Sequence, residues 1–192
     1  MLSERFQLKI YLEPSQQFEL EALVPVFHRF IREQALKELV IDVVDYGHVP
    51  NGPGVVLIGH AGDYYVGSLD GRLGLVYSRK RANPAAEARL EDGLRRAINF
   101  ARLLEQDSAL KLRFRTNELS LRLTDRLRAP NDDAAFAEVQ SEVTALFSRV
   151  YGGSVSVERI AEERGPLGIA IKTSAVPSLE ALLEKLGGPP SD

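Results

Sequence analysis

Two of the three histidines in this 192-residue chain, His48 and His60, fall between Asp45 and Arg81, together with four of its six tyrosines. The pair best suited to chemistry is His60 and Asp63, in the sequence His-Ala-Gly-Asp. A tight turn there is expected to set the carboxylate beside the imidazole, where it would fix the tautomer. That arrangement prepares a general base, and it also ties down a hairpin end. With Arg79 or Lys80 holding an anion, it would serve a hydrolase or isomerase acting on an anionic or phosphorylated small molecule.

Other chemistries find less support. His28, His48 and His60 with Asp42, Asp45 or Asp63 could make up a metal ligand set by residue type. If His48 and His60 sit at opposite ends of one strand, however, six or seven residues at about 3.3 Å each hold them about 20 Å apart. No metal and no cofactor is therefore assigned. The glycines of Asn51-Gly52-Pro53-Gly54 precede a strand, whereas a phosphate-binding loop leaves a strand and enters a helix. No Gly-x-Ser-x-Gly elbow is present. The absence of cysteine excludes disulfides, thiolate zinc sites and cysteine nucleophiles.

A binding reading draws on the same region. Tyr46, His48, Tyr64, Tyr77, Arg79 and Lys80 offer apolar area, hydroxyls and positive charge to a ligand or partner. Ser78-Arg79-Lys80-Arg81 leads into a helix start, where cations oppose the helix dipole and an anion would be welcome. A second basic feature lies at 109–128, with six basic and two acidic residues, against five basic and ten acidic from Ala129 onward. Lys111, Arg113 and Arg115 alternate with Leu112 and Phe114, so with Arg122 they define an expected basic sheet face. It lacks aromatic residues for base stacking, which argues against nucleic acid, as does a net charge of only -3. The expected partners are a protein or an anionic small molecule, with a homodimer admitted.

These residues have to be positioned by a fold. A composition of 44% hydrophobic and 27% charged residues suits a chain that buries a core. The N-terminal segment has charges where a leader needs an apolar run, and no segment approaches the roughly 18 apolar residues of a membrane span. A soluble, cytoplasmic protein is expected. Phe6, Leu8, Ile10 and Leu12 alternate as in a strand, and Leu20, Leu23, Val24, Phe27, Phe30 and Ile31 follow helical spacing, with Pro25 in the first turn. The β-branched run 39–46 predicts a strand covered on both faces or at a subunit contact. Three turn signals, ending in an Asp70-Gly71 pair suited to a type I′ turn, predict a four-stranded antiparallel meander at about 38–46, 54–60, 63–69 and 72–79. Asn83 and Pro84 then open a long helix ending near Asp107.

The second half predicts two strands turning around Thr116 and Asn117, a helix from Asp132 to Tyr151, a further strand pair, and a short helix opened by Pro177 and closed by Gly187 and Gly188. The fold class is α+β, an antiparallel sheet with helices packed on it. Residues 1–108 and 109–192 are expected halves, either distinct or joined in one domain. Their similar order of strand, helix, strand, strand, helix suggests an internal duplication. The favoured function is a non-catalytic interaction or ligand-binding module using the 45–81 meander.

Overall fold

The computed structural model describes residues 4–14, 18–50, 52–68, 70–81, 85–161 and 164–190. Strand β1 (Phe6–Leu12) shows the alternation at work. Phe6, Leu8, Ile10 and Leu12 point into the main core at 5% exposure or less, while Gln7, Lys9 and Tyr11 take the opposite face. A single 3₁₀ turn (Leu20–Ala22) leads into helix α1 (Leu23–Arg32), with Pro25 in its first turn and Leu23, Val26, Phe27 and Phe30 buried. The helix ends at Gln34, whose φ of 50° lets Ala35 N–H reach the Phe30 carbonyl at 3.0 Å.

The meander follows as β2 (Val40–Asp45), β3 (Val55–Gly59), β4 (Gly62–Gly67) and β5 (Gly74–Arg79). Helix α2 (Ala86–Gln106) buries Leu90, Leu94, Ala97, Ile98, Ala101 and Leu104. The expected start of this helix at Asn83 and Pro84 lies outside the described residues. Strand β6 (Phe114–Leu123) precedes helix α3 (Asp133–Tyr151), which Asp132 caps by accepting from Ala135 N–H at 2.8 Å. Strands β7 (Ser156–Ile160) and β8 (Leu167–Lys172) then lead to helix α4 (Leu179–Lys185), capped by Ser178.

Among the described residues, eight strands form one antiparallel sheet in the order β2-β3-β4-β5-β1-β6-β8-β7. An α+β fold with helices packed on an antiparallel sheet is thus the observed architecture. The helices α1 to α4 share one face, over a core that runs from Phe6 and Leu8 through Tyr64, Tyr77 and Phe100 to Val143, Phe147 and Ile169. Alternation sends Val56, Tyr65 and Val76, with Ile58, to a small separate cluster on the other face. No described helix is long and apolar enough to cross a membrane.

Several expectations are corrected. The 39–46 run is not an interior strand: β2 is an edge of the sheet, with Ile41 57% exposed at a bulge between Val40 and Asp42. Its apolar residues read as buried because pattern cannot distinguish a covered strand from an uncovered one. Residues 114–123 form a single strand rather than two: β1 and β8 pair along its second half, and the expected turn at Thr116 and Asn117 is instead a register shift against β1 between Leu119 and Phe114. Asp70-Gly71 does not form a two-residue turn. Gly67 pairs with Gly74, so the connection is longer, and of the two residues only Gly71 takes positive φ.

Candidate functional site

Three places in the fold concentrate polar or exposed apolar groups. The first lies beneath α2. Arg79, 2% exposed, donates from Nη1 to Tyr77 Oη at 3.1 Å and from both terminal nitrogens to Asp92 Oδ2 at 2.6 Å. Arg96 Nε reaches the same oxygen at 2.9 Å, and its Nη1 lies 3.0 Å from Glu38 Oε1, which also accepts from Tyr64 Oη. Burial, then the Glu38 charge, pushes Tyr64 well above its ordinary pKa; burial raises Tyr77 too, against Arg79. Burial alone would lower Arg96, but the Asp92 hydrogen bond and Glu38 charge outweigh it. Two arginines and two carboxylates neutralise one another here, so the network holds α2 and the Glu38 segment to the meander and keeps no net charge for a ligand.

The second place is the helix-free face, where register gives the neighbours directly. Gln7 lies between Ser78 and Arg122, and Lys9 between Val76 and Ser120. The β4–β5 connection folds over this row. Asp70 accepts from Lys9 Nζ and from Tyr11 Oη, the latter at 3.0 Å. Arg72 stacks on the Tyr11 ring at 3.8 Å and forks onto Glu118 with two bonds of 2.8 Å. Burial outweighs Asp70 and lowers the Lys9 pKa. Burial by itself would raise Asp70, but the Lys9 hydrogen bond and charge hold it below the usual carboxylate range, and the Arg72 bond holds Glu118 low. The space bounded by Gln7, Lys9, Ser120 and Arg122 is only about 10 Å³, room for a single water at most.

The third place is the outer edge of the meander. Among the described residues six large hydrophobic side chains are exposed, and four of them, Leu39 (66%), Ile41 (57%), Val49 (40%) and Tyr46 (37%), lie on or just beside β2. A cleft of about 400 Å³ opens next to them, between the end of α1 and the start of β2, lined by apolar Phe30, Ile31, Leu36, Leu39 and Val40 and by polar Gln34, Lys37 and Glu38. The opposite sheet edge, β7, is dressed differently. Glu158 accepts from Ser156 Oγ at 2.6 Å, and Arg159 bonds Asp133 and Asn131.

The residues singled out from sequence are dispersed. Asp63 takes its bond from Lys80 Nζ at 2.7 Å, and the exposed His60 is held through its backbone, its N–H donating to Leu39 and its carbonyl accepting from Arg81. His60 and Asp63 are therefore not brought together as a bonded pair. Tyr64, Tyr77 and Arg79 are interior and not part of a surface; Tyr64 and Tyr77 form a cross-strand pair with ring centroids 5.0 Å apart. Tyr46, His48 and Lys80 are exposed. His48 and His60 flank β3 at opposite ends, and among the described residues no three acidic or histidine side chains converge as a metal site requires. Lys111 and Arg113 precede β6 instead of lying on it, Arg115 faces Glu118 at 3.5 Å, and Arg122 sits on the helix-free face. The expected single basic face is thus divided.

What sequence reasoning missed is the exposure of Leu39 and Ile41 and the Lys9–Asp70 clasp. The alternation of β1 did place Lys9 opposite the apolar face; nothing in the letters shows that a loop 60 residues away closes over it. No protein-family model matches the chain, and no curated protein matches it in sequence.

Proposed function

We propose that the protein is a non-catalytic interaction module that takes a protein partner along the outer edge of its meander. The observation carrying this reading is the concentration of exposed hydrophobics on and beside β2, next to a cleft of mixed polar and apolar lining of a size that accepts side chains. An edge strand offers unpaired backbone groups to an added strand, and natural proteins normally blunt such edges with charge. Edge β7 carries the bonded charges Glu158 and Arg159; β2 has a bulge at Ile41 and the exposed Asp42 and Asp45, yet it also leaves Leu39 and Ile41 exposed. A hydrolase or isomerase reading needs Asp63 to orient His60, and Asp63 is bonded to Lys80 instead.

The test is selection of extended peptides from a random display library against the full chain. Selected binders are expected to slow hydrogen exchange at the 40–45 amides and to lose at least tenfold in affinity to the Leu39→Asp/Ile41→Asp variant. Binders that protect other amides and ignore the double variant, or no binders at all, would overturn the reading.

A further inference from the structure

The charges on β2 narrow the kind of partner. Asp42 and Asp45 are both exposed, and among the described residues neither meets a lysine or arginine. Each spends one oxygen on the backbone, Asp42 Oδ1 on Val43 N–H at 2.8 Å and Asp45 Oδ1 on Gly47 N–H at 2.7 Å. Their positions follow from pairing. Asp42 is registered with Ile58 and shares the helix-free face, while Asp45 is registered with Val55 and shares the α1 face with Val43. Glu21 lies on the same side as Asp45: a Cβ at Gly47 would be 3.0 Å from Asp45 Oδ1 and 3.8 Å from Glu21 Oε1. The edge therefore presents Leu39 and Val40 at the cleft, next to Lys37 and Glu38, is acidic toward the helix-free face, and is acidic again at its Gly47 end.

Resting on the edge reading above, we infer that the occupant is an extended segment alternating apolar and basic residues. Its apolar side chains enter the cleft and cover Ile41 and Leu39. Its lysines or arginines face Asp42, and one more cation at the end nearest Gly47 meets Asp45 and Glu21. Docking requires the Asp42 carboxylate to leave the Val43 N–H, and a cation on the incoming strand supplies the partner it leaves for. A second copy of β2 fits less well, because it brings Asp42 and Asp45 of one chain against the same carboxylates of the other.

Four synthetic octapeptides test this: alternating Val-Lys, Val-Glu and Val-Thr, and a Val-Lys form with two central prolines that cannot pair as a strand. The Val-Lys peptide is expected to bind at least tenfold more tightly than the other three and to protect the 40–45 amides. The Asp42→Lys/Asp45→Lys variant should reverse the preference toward Val-Glu. If Val-Glu or Val-Thr protects β2 as well as Val-Lys does, the edge reading stands and the cationic class is wrong. If no alternating peptide protects β2, both fail. A wild-type dimer broken by Ile41→Asp would put a second copy on the edge and overturn the cationic assignment.

Discussion

Lys9 is the residue whose placement departs most from its type: a lysine 5% exposed in the middle of a strand, on the side away from the main core. It is tolerated because Asp70 and the Arg72 carbonyl receive its ammonium, and because Tyr11 and Arg72 close over the pair. Asp70 has a folded pKa held down, chiefly by Lys9 against the opposing effect of burial. A depressed carboxylate contributes stability above its unfolded value near 3.9 and loses it as pH falls through the folded value. Asp70→Asn should therefore flatten the loss of stability between about pH 5 and 2 and lower stability at pH 7 by roughly 1–3 kcal/mol, because a buried ammonium loses its counter-charge. Urea unfolding across that range measures both. A variant with the wild-type slope would show that Asp70 does not titrate with folding.

Among the elements, α2 meets the sheet closely at Gly93, where a Cβ would stand 2.6 Å from Phe6 Cζ. Replacing glycine inside an exposed helix with alanine ordinarily gains about 1 kcal/mol. Here overpacking against a ring fixed between β5 and β6 costs about 1–3 kcal/mol, so Gly93→Ala is expected to destabilise by roughly 1–2 kcal/mol net. Gly153→Ala, where a Cβ meets nothing within 4 Å, should change little. A stabilised Gly93→Ala in thermal unfolding would mean that α2 can lift off β1. Much at this scale was legible in the letters. The alternation in β1, the helical stripe of α2 and the turn chemistry of the meander are local consequences of period and of glycine or proline geometry. The edge position of β2 and the single span of β6 were not. Whether Ile41 is covered depends on which strand lies beside it, and whether Thr116-Asn117 reverses the chain or only shifts its register depends on β1, which pairs with Phe114 and again with Leu119. The site suffered likewise: Tyr64 and Tyr65 are adjacent and chemically identical, yet one is under α2 and the other opposite it.

Across the whole molecule, β1 and β6 lie antiparallel in the interior of the sheet, flanked by β5 and β8, each of which precedes a helix. A duplication would align β8 with β5 and leave β2 and β3 as an added hairpin carrying the exposed edge. The same sheet buries its phenols across both faces. Burial is the largest cause raising the pKa of Tyr11, Tyr64, Tyr65, Tyr77 and Tyr151, with Tyr65 pushed up to about 12. An acid whose folded pKa is raised disfavours the charged form in the fold, so stability is lost as pH climbs past the unfolded tyrosine value near 10. Lys9 acts in the opposite sense, since its lowered folded pKa lets stability rise with pH below about 10.4, but it is one group against five. The chain is therefore expected to unfold cooperatively in strong alkali, with most phenolate absorbance near 295 nm appearing together with the loss of far-ultraviolet circular dichroism. Phenolate absorbance reaching its plateau while the dichroism stays native would contradict the burial of these rings and, with it, the assignment of Tyr64 and Tyr77 to the interior of the fold.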